Sequence, residues 1–170
     1  MMSNHSIAGF ALCATLLGTG LTSAFAADET LRSLADKNNI YIGAILNSQW
    51  FSGGLPGNYE QIHKTQFNIV VAENEMKFDA TEPSEGRFNY NNGDKMVKYA
   101  QQNGMRVRGH ALAWHSQVPN WVNNYKNDKQ KLLKVLKNHI ENVVGHWKGQ
   151  VDEWDVVNEA ISNNEPQWRS

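Results

Sequence analysis

The chain has 170 residues, of which 41% are hydrophobic and 19% charged, a composition typical of a globular domain and not of a disordered or fibrous protein. Its 16 Lys and Arg residues nearly balance its 17 Asp and Glu residues, which leaves a net charge of -1. We therefore expect no nucleic acid and no anionic membrane as a partner, because both require a basic surface, and a neutral partner fits better.

The N-terminal segment has the features of an export signal. Residues 1–26 contain no Asp, Glu, Lys or Arg, their apolar run is too short to span a bilayer, and Ala24-Phe25-Ala26 offers a small-residue cleavage site. The usual Lys or Arg before the apolar run is missing, so a disordered or anchoring N-terminus stays open as the alternative. We predict a signal peptide at residues 1–26, a domain at 27–170, and a secreted protein (extracellular or periplasmic) with no membrane partner after cleavage.

Downstream of this signal, helical patterns alternate with apolar strands. We predict helices at residues 28–37, with Asp28 as the N-cap, and at 59–65, 94–103 and 128–147. Predicted strands begin near residues 40, 67, 105 and 151, and each ends in polar residues. The stretch 47–57, with its Gly and Pro residues, is predicted to be a loop. The apolar runs Ile69–Ala72 and Val156-Val157 indicate strands that are buried on both faces.

This alternation predicts an α/β fold with a parallel sheet, because parallel neighbours need a helical crossover. Periodicity alone leaves open whether the sheet is doubly wound or part of a closed (β/α)8 TIM barrel. The barrel is favoured because no glycine-rich phosphate fingerprint follows the first strand and reactive side chains follow the second, third and fourth strands. A complete barrel needs eight units and about 250 residues, so we expect only the first four units here. Alone, this half should be inactive and poorly folded.

The fourth predicted strand carries the strongest signal for chemistry. It reads Trp154-Asp155-Val156-Val157-Asn158-Glu159-Ala160 and ends in an amide and a carboxylate, where barrel enzymes keep their catalytic groups. A carboxylic acid held between apolar and aromatic walls keeps its proton to near-neutral pH, as a general acid must. Glu159 is therefore our candidate general acid/base, and the alternative is a carboxylate that interacts with the dipole of a following helix.

The second and third strands also end in polar side chains. Glu73, Asn74 and Lys77 supply the mixed donors and acceptors that sugar hydroxyls need, although a solvated polar loop would look the same. His110 and Trp114 follow the third strand, where an indole face would hold the apolar face of a sugar ring.

A metal site or a cofactor is not expected. His110 and His115 are the alternative metal ligands, but the chain has no His-Glu-x-x-His pattern. The only cysteine, Cys13, lies in the predicted signal. His139 and His146 are predicted to be polar or half-buried residues of the long helix, and Trp147 a core residue.

Four motifs, in order, resemble family 10 of the glycoside hydrolases, the endo-β-1,4-xylanases with a (β/α)8 barrel. They are Glu73-Asn74-x-Met76-Lys77, Glu82-Pro83-x-x-Gly86-x-Phe88, Arg108-Gly109-His110-x-Leu112-x-Trp114-His115-Ser116-Gln117-x-Pro119-x-Trp121, and Trp154-Asp155-Val156-Val157-Asn158-Glu159-Ala160. The resemblance extends from about Leu31 to Ser170.

The resemblance implies a retaining hydrolysis of xylan. Glu159 would be the acid/base, and Asn158 would hold the sugar 2-hydroxyl near the nucleophile. Five residues would bind the sugars on the glycone side, namely Glu73, Asn74, Lys77, His110 and Trp114. The family nucleophile is a second Glu at the end of the seventh strand, which these 170 residues do not include. A full-length protein would bind xylan, need no cofactor and act as a monomer.

Two other functions remain open at this point. Another barrel β-glycanase, acting on cellulose or mannan, would share the strand-end carboxylates. A half-barrel that binds xylan without cutting it would keep the sugar-binding side chains beside an absent nucleophile.

Overall fold

The computed structural model describes residues 29–53, 57–164 and 167–169. The predicted signal peptide, residues 1–26, lies outside the described residues. None of the helices within those ranges is long and apolar enough to cross a membrane.

The sheet has four strands in the order β1-β2-β3-β4, and every neighbouring pair is parallel. The strands are β1 Gly43–Leu46, β2 Ile69–Ala72, β3 Arg106–Ala113 and β4 Glu153–Val157. The predicted parallel sheet is confirmed. Because the strand order follows the chain without reversal, the sheet is that of a partial (β/α)8 barrel and not of a doubly wound fold.

Helices connect the strands on one side of the sheet. They are α1 Leu31–Lys37, α2 Trp50–Gly53, α3 Tyr59–Gln66, α4 Phe78–Thr81, α5 Asn91–Gln102 and α6 Lys129–His146, with a 3-10 helix at Asn120–Tyr125. The sequence did not predict α2, α4 or the 3-10 helix, because such short elements carry no hydrophobic period. The predicted N-cap of α1 was wrong: Asp28 lies outside the described residues, and the hydroxyl of Thr30 accepts a hydrogen bond from the Ser33 N–H.

The hydrophobic core lies between the sheet and helices α5 and α6. Leu46, Val70 and Val107 project from three strands, and Trp147 fills the space after α6. Trp154 of β4 packs over Gly109 of β3 so closely that a Cβ at position 109 would stand 2.2 Å from the indole. Only glycine at position 109 leaves room for the indole at this place on β3.

One buried pair corrects the predicted environment of His139. This residue is fully buried, and its Nδ1 lies 3.0 Å from Oε2 of Glu82, which is 1% exposed. The His139 ring stacks on Phe78 with the ring centroids 3.6 Å apart. Burial raises the pKa of Glu82 and lowers the pKa of His139 to about 4. The pair joins α6 to the segment after α4, a contact across 57 residues that periodicity does not encode.

The other face of the sheet would point into the barrel. It carries Ile45, Arg108 and Asp155, which the described chain leaves partly exposed. The prediction that Val156 and Val157 are buried was wrong, since they are 53% and 60% exposed. Strand β4 is the edge of the sheet, and within the described ranges no element covers its faces at these two positions.

Candidate active site

The carboxyl ends of the four strands meet at one edge of the sheet, because the strands are parallel. We call this edge the rim and define it by the residues that follow the strands, 47–49, 73–77, 114–117 and 158–160. Every residue that the sequence predicts for chemistry lies on the rim except His110. That residue lies inside β3, before the carboxyl end of the strand. The parallel sheet thus brings together side chains that are up to 86 residues apart, as from Glu73 to Glu159.

Glu159 lies two residues beyond β4, and its carboxyl group faces the end of β3. Nε1 of Trp114 donates a hydrogen bond of 3.0 Å to its Oε2, and Nδ1 of His115 lies 3.5 Å from the same oxygen. The backbone of Glu159 has a φ of 51°, a left-handed conformation that is uncommon for residues other than glycine. The carbonyl oxygen of Glu159 accepts a hydrogen bond of 3.1 Å from Nε of Arg169, which holds this unusual turn.

The surroundings of Glu159 differ from the expected enclosure. Its side chain is 45% exposed, with Trp114 as the aromatic wall on one side. A groove of about 420 Å³ runs past the carboxyl group and is also lined by Asn158 and Val122. In the described residues that follow, 160–164 and 167–169, Ile161 forms an antiparallel bridge with Trp168. No helix begins at Glu159 in that part of the chain, so the helix-dipole alternative is not supported.

The cluster after β2 is built around a buried ammonium group. Lys77 is 9% exposed, and its Nζ donates to Oδ1 of Asn74 at 3.0 Å and to Oε1 of Gln117 at 2.6 Å. Nε2 of Gln117 donates to the same Asn74 oxygen at 3.2 Å. The ammonium also lies 4.9 Å from the centroid of the Trp114 ring, within the range of a cation–π contact. Contacts therefore run without a gap from Asn74 to Lys77, Trp114 and Glu159.

Glu73 stands at the open side of this cluster. It is exposed, and its Oε2 accepts a hydrogen bond of 2.6 Å from Nδ2 of Asn47, the first residue after β1. The carboxylate thus has one fixed oxygen and one oxygen that remains accessible to a ligand.

A second carboxylate, Glu75, is buried beneath this corner of the rim. Its oxygens accept hydrogen bonds from the backbone N–H groups of Ser48 at 2.6 Å and of Asn74 at 3.0 Å. Burial alone would raise the pKa of Glu75, but these hydrogen bonds outweigh it and hold the pKa below its usual value. One buried group therefore fixes both loops that carry Asn47, Glu73 and Asn74.

His110 is oriented from below by a charged pair. Its Nδ1 donates to Oδ2 of Asp155 at 2.9 Å, and the guanidinium group of Arg108 binds the same carboxylate. Burial raises the pKa of Asp155, but the hydrogen bonds and charges of Arg108 and His110 outweigh it and lower the pKa. With Nδ1 held in this way, the Nε2 of His110 is left for a ligand.

The structure adds four residues that the sequence analysis did not propose for the site, namely Asn47, Glu75, Gln117 and Asp155 in its role of orienting His110. Asn47 follows β1 directly, so the rule that strand ends share one edge would have identified it. The role of Glu75 has no such signal, because only the fold shows which backbone N–H groups its carboxylate reaches.

Comparisons with known proteins give one consistent family. The model of glycosyl hydrolase family 10 matches residues 30–170. Endo-1,4-beta-xylanase B of Thermotoga neapolitana is 40% identical over 150 residues, which cover 88% of this chain and 43% of that protein. Endo-1,4-beta-xylanase 1 of Humicola insolens is 41% identical over 157 residues, covering 92% and 36%.

Solved structures agree with the sequence relatives. Xylanase 10B from Thermotoga maritima superposes with a TM-score of 0.76 at 42% identity, over 82% of this chain and 43% of that one. Xylanase 10B from Thermotoga petrophila, solved in complex with xylobiose, gives the same TM-score and identity over 82% and 42%. The chain therefore spans less than half the length of these relatives.

Proposed function

The chain belongs to glycosyl hydrolase family 10, and on this premise we propose that the full-length protein is an endo-β-1,4-xylanase that cleaves internal bonds of xylan. The observation that carries the proposal is the position of Glu159. Its carboxyl group accepts from the indole N–H of Trp114 in a groove that this indole also lines, and the same indole contacts Lys77 of the cluster after β2. The relatives named as xylanases, and the neighbour that holds xylobiose, support xylan as the polysaccharide.

We assign Glu159 the role of general acid/base in a retaining mechanism. It would protonate the leaving glycosidic oxygen, and after a second Glu has formed the glycosyl-enzyme it would deprotonate the attacking water. We place that nucleophile in the part of the barrel that follows residue 170, at about 5 to 5.5 Å from Glu159, the separation of a retaining pair. The hydrogen bond from Trp114 would hold the acid/base in position through both steps.

We assign sugar binding on the glycone side to the rest of the cluster. The free oxygen of Glu73, the amide of Asn74 and the ammonium group of Lys77 together offer acceptors and donors for vicinal hydroxyls. His110 would donate or accept through Nε2, and Asn158, in the groove beside Glu159, would hold the 2-hydroxyl. The face of Trp114 would pack on a sugar ring.

The test is substrate preference of the full-length protein. Release of reducing ends is measured on xylan, cellulose and mannan at equal mass concentration. The proposal predicts that xylan is cleaved internally, with a rapid fall in viscosity, at a rate that far exceeds those on the other two. A preference for cellulose or mannan would replace the xylanase assignment by another β-glycanase of the same mechanism.

We also propose that residues 1–26 direct export of the protein out of the cytoplasm. N-terminal sequencing of protein collected outside the cytoplasm should begin at Ala27. Recovery of the uncleaved chain from the cytoplasm alone would contradict this.

A further inference from the structure

Glu159 lies where the backbone changes direction. The N–H of Asn158 donates to the carbonyl oxygen of Ala113 at 2.8 Å, which continues the pairing of β4 with β3. Two residues later the chain has turned away, because the carbonyl oxygen of Ala160 accepts from the Arg169 N–H at 2.8 Å. The φ of 51° at Glu159 makes this turn. The candidate acid/base therefore depends on a left-handed backbone that residues other than glycine adopt only uncommonly.

The chain after Glu159 folds back on itself. Ile161 forms an antiparallel bridge with Trp168, and we call the described residues of this pair, 160–164 and 167–169, the return hairpin. The pairing brings Arg169 beside Glu159, ten residues away along the chain. The side chain at position 169 can therefore contact the backbone at position 159.

The guanidinium group of Arg169 joins the two sides of the turn. Its Nε donates to the carbonyl oxygen of Glu159 at 3.1 Å. Its Nη2 donates to the carbonyl oxygen of Ile161 at 3.3 Å and to Oδ1 of Asn163 at 3.2 Å. All three acceptors are uncharged, so these contacts depend on the directions of the N–H groups more than on charge. A planar guanidinium fork suits three oxygens at fixed positions, whereas the ammonium group of lysine on its flexible stem does not.

Glu159 is thus held at both of its ends. Nε1 of Trp114 donates to the carboxyl oxygen Oε2 at 3.0 Å, and Arg169 holds the backbone carbonyl oxygen. The side chain between them is 45% exposed, so packing contributes little to its orientation. The two hydrogen bonds together therefore set the direction in which the carboxyl group points.

From this geometry we infer that Arg169 is a positioning residue for the two proton transfers assigned to Glu159. It holds the carbonyl oxygen of Glu159, keeps the left-handed turn and so directs the carboxyl group at the glycosidic oxygen. It acts through the backbone and transfers no proton itself. A displacement of about 1 Å in a reacting group can lower a rate about 10²-fold, so a small movement of this turn is enough to matter. The inference rests on the role of Glu159 proposed above.

The experiment compares two substrates of the full-length protein. Xylan needs a proton on its leaving oxygen, whereas dinitrophenol leaves a β-xylobioside without one. Arg169→Ala removes all three contacts, Arg169→Lys keeps the charge, and Asn163→Ala keeps the arginine and removes one acceptor. Arg87→Ala, at an exposed arginine in the loop before α5, is the matched control.

We expect Arg169→Ala to lower kcat on xylan roughly tenfold with little change in KM, because the proton donor is misplaced while sugar binding is not. Its first turnover on the aryl substrate should stay within about twofold of the parent, since that step needs no proton. Arg169→Lys should not recover kcat, Asn163→Ala should lose less than Arg169→Ala, and Arg87→Ala should behave as the parent.

Equal losses on the two substrates would overturn the inference, because a general structural defect affects both. Parent activity of Arg169→Ala on xylan would overturn it as well, and so would recovery of kcat in Arg169→Lys, which would make charge and not geometry responsible.

A double-mutant cycle separates this inference from the proposed function. Because Arg169 acts through Glu159, adding Arg169→Ala to Glu159→Ala should cause no further loss on xylan, and a second loss of roughly tenfold would contradict the coupling. If Glu159→Ala alone cleaves xylan at the parent rate, the role proposed for Glu159 is wrong. If Glu159→Ala is impaired and Arg169→Ala is not, only the positioning role of Arg169 is wrong.

Discussion

Nε1 of Trp114 donates a hydrogen bond of 3.0 Å to Oε2 of Glu159, so that side chains from the ends of β3 and β4 meet on one carboxylate oxygen. On its other side the Trp114 ring lies 4.9 Å from Nζ of Lys77, which comes from the end of β2. The indole therefore connects the candidate acid/base to the candidate glycone cluster, and one substitution can separate its two functions.

Trp114→Phe keeps an aromatic face for the sugar and removes the N–H donor. A single hydrogen bond contributes roughly 0.5–1.5 kcal/mol, so we expect kcat/KM on xylan to fall by up to about tenfold, with most of the loss in kcat. The control is Trp168→Phe, at an indole that is 77% exposed. Equal kinetics for Trp114→Phe and the parent would show that the hydrogen bond does not support Glu159.

Glu75→Gln tests the buried carboxylate beneath the rim. Glutamine has one acceptor oxygen for two backbone N–H donors and presents its own NH2 group to one of them, so a buried donor is left unsatisfied. We expect a loss of roughly 1–3 kcal/mol in the free energy of unfolding, measured by denaturant titration at pH 7. Glu29→Gln, at an exposed carboxylate paired with Lys37, should have little effect.

The same group gives a pH dependence whose sign follows from its lowered pKa. The folded state binds the Glu75 proton less readily than the unfolded state, so the contribution to stability is present above the unfolded pKa, 4.5, and is lost as the pH falls through the lower folded pKa. The parent should lose more stability than Glu75→Gln between pH 5 and acid pH. Parallel curves for the two proteins would contradict the assignment.

Much of this architecture could be predicted from the sequence because it rests on local patterns. The apolar runs ending in polar residues located all four strands to within three residues, and the parallel rule then placed Glu73, Trp114 and Glu159 on one edge. Periodicity could not supply contacts between distant side chains. Two examples are the Glu82–His139 pair and the hydrogen bond from the Ser48 N–H to Glu75. Both depend on how the loops pack against the sheet.

The exposure of β4 was mispredicted for a different physical reason. Val156 and Val157 read as a buried strand because β-branched apolar residues normally fill both faces of a parallel sheet. In the described residues β4 is an edge, so the same sequence lies at the surface. Two adjacent β-branched apolar residues therefore indicate a strand that other elements cover. No element in the described part of the chain covers β4 at Val156 and Val157.

Asp155→Asn should loosen His110 without removing it. The neutral amide cannot form the ion pair with the guanidinium group of Arg108. It also accepts a weaker hydrogen bond from Nδ1 of His110, so the imidazole is less well oriented. We expect KM for xylo-oligosaccharides to rise several-fold, with a smaller change in kcat. Glu153→Gln, which removes the more distant carboxylate near Arg108 at 4.0 Å, is the control and should have the weaker effect.

His139→Leu should be strongly destabilising. The substitution leaves the carboxyl group of Glu82 buried without its partner and removes the stack on Phe78. We expect a loss of about 3 kcal/mol in the free energy of unfolding, which chemical denaturation of the full-length protein would measure. His146→Leu, on the same helix at a partly exposed position, should cost clearly less. Equal losses in the two variants would mean that the buried Glu82–His139 pair contributes no more to stability than the partly exposed His146.

Glu159→Ala in the full-length protein tests the role of Glu159 as proton donor directly, with two substrates. Xylan has a poor leaving group that needs a proton, whereas a dinitrophenyl β-xylobioside has a leaving group that departs without one. We predict that hydrolysis of xylan falls by about 10²–10⁴-fold, while the first turnover on the aryl substrate stays close to that of the parent and azide accelerates later turnovers. A variant that still cleaves xylan at the parent rate, or that loses the first turnover on both substrates equally, would contradict the role assigned to Glu159.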